Sequence, residues 1–369
     1  MVKRLLFLIA FLIVSYSSFS QEYSGWWTDV DQLINKGQPK SALERLARIH
    51  DAALKENNGP MIIKSLIHEI KLKGQYEEES LQQSIGRLEK AANKVKAPTV
   101  NVIHSMLAEM YWGYYTQNRW QFHQRIHSET GSDDIATWDF KKLVAKADHH
   151  YRLSLNASKN LQSESLSDYS EIIKGNEKDR GLRPTLYHLL LSRAMGFYAS
   201  EEQDLVNFDK DGFYNNSIYL SASTEFLALE VDKTEKIQPA KQTTLLFQEL
   251  MRAASGNVQA VVLEDLKRLE FFHRRSKHED KDSLYRFALD QLLVKHNDHR
   301  VGSDIRYAIG QLLFNNGSNF NIKSGDEVLQ ARWKDAHDIC IAGMEVFPNS
   351  IGAKNCKALI SQIEQRKIG

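Results

Sequence analysis

Apolar side chains return every three or four residues along most of the chain, the spacing that places them on one face of a helix. Ala42, Leu46, Ile49 and Ala53 form one such stripe, and Ile63, Leu66, Ile67 and Ile70 a second. Leu81, Ile85, Leu88 and Ala92 make a third; Ile103, Met106, Leu107, Met110 and Tyr114 make a fourth. Strict alternation over five or more residues is hard to find, so the pattern predicts an all-α chain. Breakers fall where helical hairpins would turn. Lys36-Gly37-Gln38-Pro39 separates a short helix from near Trp26 from one starting near Lys40, and Asn57-Asn58-Gly59-Pro60 ends that second helix. Lys96-Ala97-Pro98-Thr99, Gly181-Leu182-Arg183-Pro184 and Phe347-Pro348-Asn349-Ser350 play the same part further on. Short connections make neighbours antiparallel, and helices with one apolar face must stack to bury it.

The expected architecture is therefore a set of stacked antiparallel helical hairpins, a degenerate tetratricopeptide-like superhelix. Gly37 followed five residues later by Ala42-Leu43 fits the turn of that 34-residue helical pair; Ala336 and Pro348, twelve apart with Gly343 between them, fit its second helix and terminal proline. No clean 34-residue period survives between these ends. From about Ser200 to Gln242 the chain is polar, interrupted and weakly periodic, with an extended piece expected at Ile218-Tyr219-Leu220. The predicted organisation is a helical-hairpin block over 21–200, an irregular linker or insert over 201–242, and a second helical block over 243–369 with the tetratricopeptide-like end.

The first twenty residues change the compartment. Lys3 and Arg4 precede an apolar run from Leu5 to Val14, and Ser18 and Ser20 supply small residues before Gln21, the layout of a secretory signal peptide over 1–20 cleaved near Ser20. The run falls short of the roughly 20 apolar residues of a membrane helix, and no other stretch approaches it, so no transmembrane segment is expected and the mature chain is placed in the periplasm or outside the cell. Losing Lys3 and Arg4 leaves 46 basic against 47 acidic side chains, which gives no electrostatic footprint for nucleic acid or anionic lipid. Cys340 and Cys356 are the two cysteines of the chain, too few for a disulfide-framed fold. A single bridge is open to them if they lie on consecutive helices, and two small buried side chains are the plainer expectation.

Candidate chemistry is thin. His123 and His127 stand four apart, as two imidazoles sharing a metal would, but Gln124 replaces the glutamate a zinc protease uses as general base and no third ligand is identifiable. His149 and His150 are adjacent and would leave a helix in different directions. Asn207, Asp209, Asp211 and Gly212 imitate the opening of a calcium loop, yet its twelfth position is Ile218 rather than a bidentate glutamate, so an acidic turn is expected. Aromatic residues cluster between Tyr111 and Phe140, and Tyr111, Trp112, Tyr115, Trp120 and Trp138 are the residues that would carry an interaction surface. The helical spacing of Tyr111, Tyr114 and Tyr115 fits core packing between hairpins better. No nucleophile elbow, phosphate loop, dinucleotide glycine fingerprint or Cys-x-x-Cys is present; no catalytic residue, cofactor or metal is expected, and the chain reads as a non-enzyme.

Several segments together resemble a known family. Leu107-Ala108-Glu109-Met110-Tyr111-Trp112 with Asn118-Arg119-Trp120, then Asp133-Asp134-Ile135-Ala136-Thr137-Trp138-Asp139, then Leu182-Arg183-Pro184-Thr185-Leu186-Tyr187 are similar to the N-terminal helical region of secreted bacterial alpha-2-macroglobulin family proteins. Phe347-Pro348-Asn349-Ser350-Ile351-Gly352-Ala353-Lys354-Asn355-Cys356 looks like the stretch where that region ends. The resemblance implies a non-catalytic positioning domain ahead of β-sandwich domains that trap proteases, with those domains as partner. It also implies that the chain is the helical head of a longer protein, because Cys356 is followed by Lys357-Ala358-Leu359 and not by the Cys-x-Glu-Gln of the family's thioester. The alternative is a self-standing secreted helical scaffold that binds a peptide or an envelope protein in its groove.

Overall fold

The structure is a computed structural model that describes residues 23–77, 80–123, 134–173, 180–205, 212–232, 238–317 and 327–368. The expected signal peptide over 1–20 lies outside these residues, as do His127, Asn207, Asp209 and Asp211 and the side chain of His123. Among the described residues the fold is all-α and no strand is present; Ser165 and Thr185 make an isolated antiparallel bridge.

The chain divides into two compact units. The first runs to Asn176 and takes in Pro184–Leu190; the second holds Glu177–Arg183 and everything from Leu191. The first unit's helices are α1 (23–35), α2 (Pro39–Glu56), α3 (Gly59–Tyr76), α4 (Leu81–Ala92), α5 (Thr99–His123), α6 (Phe140–Ser154) and α7 (Ser158–Ser163). α8 (Leu186–Tyr198) contains the division between units.

Local chemistry explains the hairpins of the first unit. Gly37 takes φ +70°, which lets the chain turn into Pro39, a residue whose fixed φ suits the first helical position. The stripe Ala42, Leu46, Ile49 and Ala53 is buried, and its first three residues pack with Tyr23, Trp27, Val30 and Leu72. Asn57, left-handed at φ 52°, ends α2, and Asn58 accepts the Met61 N–H to open α3. Two residues thus reverse the chain, and α2 packs along α3. Ser80 and Gln83 make a capping box on α4, and Asp139 accepts the Lys142 N–H at 2.8 Å to start α6. α6 packs on α5. Its C-terminus is closed from outside by buried Asn101, whose amide lies within hydrogen-bond distance of the carbonyls of Leu153, Ser154 and Asn156.

The second unit holds α9 (Ser223–Ala228), α10 (Pro239–Ala253), α11 (Val258–Arg275), α12 (Lys281–His296), α13 (Gly302–Asn316), α14 (Glu327–Val346) and α15 (Ile351–Ile368). From α10 onward consecutive helices pack on one another, and α13 also packs on α15. Close approach there depends on missing side chains: a methyl group on Gly310 would meet the Cys340 sulfur at 2.6 Å, and one on Gly343 the Cys356 sulfur at 2.8 Å.

The stretch expected to link two blocks belongs to the core of this second unit. Tyr214, Tyr219, Leu220 and Phe226 are buried with Phe247, Phe271 and Phe272, and Tyr219 stacks on Phe272 with centroids 4.6 Å apart. Ser217–Leu220 is a 3-10 turn, not an extended piece. Polar spacers between these anchors hide them from a periodicity argument, because a chain of single turns buries one aromatic per turn without a repeating face. The division between units falls earlier, near 177–190.

Candidate functional site

Where the first unit's helices α2, α3 and α5 begin and end, they border a cleft of about 1070 Å³ together with α1 and the turn over Leu166–Tyr169. Trp27 and Tyr169, both buried, give it aromatic walls. Among the described residues, Asp31, Glu56, Glu164, Asp168 and Glu171 line it against one lysine, Lys64. Backbone bonds fix the turn that carries the far wall: Leu166 N–H donates to the Pro184 carbonyl at 2.8 Å and Leu186 N–H to the Glu164 carbonyl at 2.9 Å.

Lys64 shows how the cleft treats a cation. Its ammonium lies 4.1 Å from the centroid of the Trp27 ring and 2.6 Å from Glu171 Oε2, a cation–π contact and an ion pair at once. Trp27 Nε1 donates to the Met61 sulfur at 3.5 Å, which fixes the indole plane. Glu56 accepts the Tyr23 hydroxyl at 2.8 Å. Among the described residues, no lysine or arginine pairs with Asp31, Glu56, Glu164 or Asp168.

Gly59 forms the floor. A methyl group there would lie 2.5 Å from Thr99 Oγ1 and 3.4 Å from the Tyr169 hydroxyl oxygen, so the two hydroxyls converge over the one residue without a side chain. Thr99 and Tyr169 are 7% and 2% exposed, and neither hydroxyl has a hydrogen-bond partner among the described residues. Burial first, and then the fields of Glu164 and Asp168, push the Tyr169 phenol up, so it stays protonated.

No family model, curated protein or solved structure matches the chain.

The aromatic residues singled out in the sequence do not form one surface. Tyr111, Tyr115 and Trp138 are buried: Tyr111 stacks on Trp138 at 5.8 Å and on His150 at 5.7 Å, and Tyr115 on Phe140 at 4.1 Å. Trp112 is half-buried and leans on Tyr115, while Trp120 is 61% exposed. Helical spacing sends Tyr111 and Tyr115 to the same, inner face of α5, and Trp120 follows a break at Asn118, where φ is −115°. The adjacent histidines separate as expected, but His150 meets a partner 46 residues away: its Nδ1 lies 3.1 Å from His104 Nδ1. Gly212 is left-handed at φ +65° and opens a 3-10 turn. No group of three or more histidine, cysteine or acidic side chains suited to a metal occurs among the described residues, and no described helix is long and apolar enough to cross a membrane.

A smaller cavity of about 380 Å³ lies in the second unit. Its buried carboxylate is already paired, because Glu264 accepts from Arg183 Nε at 3.0 Å and Nη2 at 2.5 Å and from Lys267 at 3.2 Å. The cleft of the first unit is the candidate site: its Thr99 and Tyr169 hydroxyls and the carboxylates of Asp31, Glu164 and Asp168 have no hydrogen-bond or ion-pair partner among the described residues. Sequence reasoning missed it because Trp27, Gly59, Thr99 and Tyr169 lie far apart in the chain and no local motif joins them.

Proposed function

We propose that this protein is a non-catalytic helical interaction module acting outside the cytoplasm, and that its first unit receives a segment of a partner protein in the Trp27–Tyr169 cleft. The cleft is the observation that carries this reading. It is large enough for a piece of chain, since pockets for drug-sized ligands run to about 1000 Å³, and its walls combine aromatic area with fixed polar groups, the composition of protein-binding hot spots. Tetratricopeptide-like spacing at the two ends of the sequence supports the same role, because repeat arrays work by presenting extended binding surfaces.

A photo-crosslinking amino acid in place of Thr28, an exposed residue on the cleft wall, tests it in the source cells. The expected product joins one defined segment of one protein to Thr28, read by mass spectrometry, with no such product from the same group at Val294, which is 80% exposed in the second unit. Equal yields from the two positions would count against the reading.

The macroglobulin resemblance supplies one identity for that partner, the β-domains of a longer chain of which this is the head. It rests on the segments quoted above. An antibody to residues 30–200 should then detect a native product far larger than a 369-residue chain. A product of about that chain's size would instead make the module self-standing, with an envelope or extracellular protein as partner.

A further inference from the structure

We propose that the cleft selects a basic segment of its partner and seats one lysine side chain of that segment at the Thr99–Tyr169 floor, between Glu164 and Asp168. This deepens the reading above and rests on it.

Two independent observations meet at this floor. The first is charge: among the described residues, five carboxylates line the cleft against one lysine, Lys64. The first turns of α3 and α5 also border it, each contributing about half a positive charge, which does not reverse the sign. The second is a pair of hydroxyls on buried side chains. Thr99 and Tyr169 carry lone pairs that no described residue uses, and the missing side chain of Gly59, where a methyl group would meet the Thr99 oxygen at 2.5 Å, lets that oxygen approach the chain beside the Tyr169 hydroxyl. Neither oxygen is sealed from the cleft, so a ligand that donates there meets two acceptors at once.

The donor is an ammonium. Lysine presents three N–H donors and no acceptor, which matches two hydroxyl oxygens plus a carboxylate. The protein's own Lys64 already occupies the other half of the cleft in this way, on the face of Trp27 and against Glu171. A peptide source is favoured over a free amine because the cleft, at about 1070 Å³, is much larger than one ammonium group.

The test uses the whole mature chain and fluorescein-labelled hexapeptides, Lys alternating with Gly, and the Glu–Gly counterpart as control. The Lys peptide should bind and the Glu peptide should not, with binding weakened severalfold between about 50 and 500 mM salt as the charges are screened. Thr99→Val keeps the side-chain volume and removes the hydroxyl; Tyr169→Phe does the same on the other side. Each should weaken the Lys peptide about tenfold, the size of a hydrogen bond to a charged group, while thermal melting shows that the variants fold and Phe287→Ser on the second unit changes nothing.

Equal binding of Lys and Glu peptides, or unchanged affinity in both floor variants, would overturn the selection of a basic segment while leaving the Thr28 crosslink, and so the module reading, intact. Spermidine binding with no peptide binding would make this a free-amine site and overturn the peptide assignment. Absence of both peptide binding and a Thr28-specific crosslink would remove the two readings together.

Discussion

Arg268, fully buried on α11, donates through Nη1 to the carbonyl oxygen of Tyr219 at 2.8 Å, across 49 residues of sequence. The same guanidinium donates to the Ser221 carbonyl at 2.9 Å and to Asp265 at 2.7 Å, and it lies 4.6 Å from the centroid of Phe226. One planar group thus holds the irregular Phe213–Ala228 stretch to the helical core, because its donors point in the several directions in which that stretch leaves carbonyls unpaired.

Arg268→Met should therefore destabilise the second unit by about 3–5 kcal/mol, since it strands a buried Asp265 carboxylate and two backbone carbonyls. Arg268→Met with Asp265→Leu should recover part of that loss, and Arg268→Lys should not, because one ammonium cannot reproduce the fork. Urea unfolding of the single and double variants measures this. A loss under about 1 kcal/mol for Arg268→Met would show that the arginine is not the anchor.

Glycines on the two units should respond oppositely to a methyl group. At Gly352 the added carbon would collide with backbone atoms of Ser303 and Asp304 at the start of α13, which cannot move aside as a side chain end can. Gly113, inside α5, meets nothing within 4 Å. Gly352→Ala should cost about 1–3 kcal/mol or more, whereas Gly113→Ala should stabilise by roughly 0.5–1 kcal/mol through the helix propensity of alanine. Thermal melts of the two variants, moving in opposite directions, would bear this out; a destabilised Gly113→Ala would contradict it.

Local signals in the sequence carry most of the helices and little of the site. Gly37, Pro39, Asn57 and Asn58 specify their turns within a few residues, so the hairpin they define is legible. Apolar stripes such as Ala42 to Ala53 declare which face is buried. The Phe213–Ala228 stretch is misread for the converse reason: its order comes from Arg268 and from stacking on Phe272, partners that no window along the chain contains. The cleft has the same character. Trp27, Gly59, Thr99 and Tyr169 acquire meaning only when α1, α3, α5 and the Leu166–Tyr169 turn are brought together.

Cys340 and Cys356 lie on consecutive helices, fully buried and reduced, each facing a glycine. The hydrogen bond that the Cys340 thiol donates to Cys356, together with burial, pushes the Cys340 thiol up, so little thiolate forms at Cys340 near neutral pH. The native chain should give no reaction with a bulky disulfide reagent at pH 8, and two thiols should appear on unfolding in concentrated guanidinium chloride. Rapid reaction without denaturant would contradict the buried placement. A count of zero after unfolding would show that the pair has bridged.

His104 and His150 face each other through their Nδ1 atoms at 3.1 Å, a contact in which one nitrogen donates and the other accepts. That sharing requires at least one neutral ring. Burial, followed by His104 and then His149 and Lys146, lowers the His150 pKa to about 3, and burial lowers that of His104 as well. In the unfolded chain both titrate near 6.5. Between those values the unfolded state binds more protons than the folded one, so stability falls as pH drops below about 6.5 and is regained as pH rises. One histidine held neutral costs about 2 kcal/mol between pH 7 and pH 5. Urea unfolding across that range should show the loss in the wild-type chain and a shallower slope in His150→Gln, which removes the titrating ring but keeps a hydrogen-bonding group beside Tyr111. Equal slopes in the two proteins would mean that the pair is solvated and that the acid sensitivity arises elsewhere.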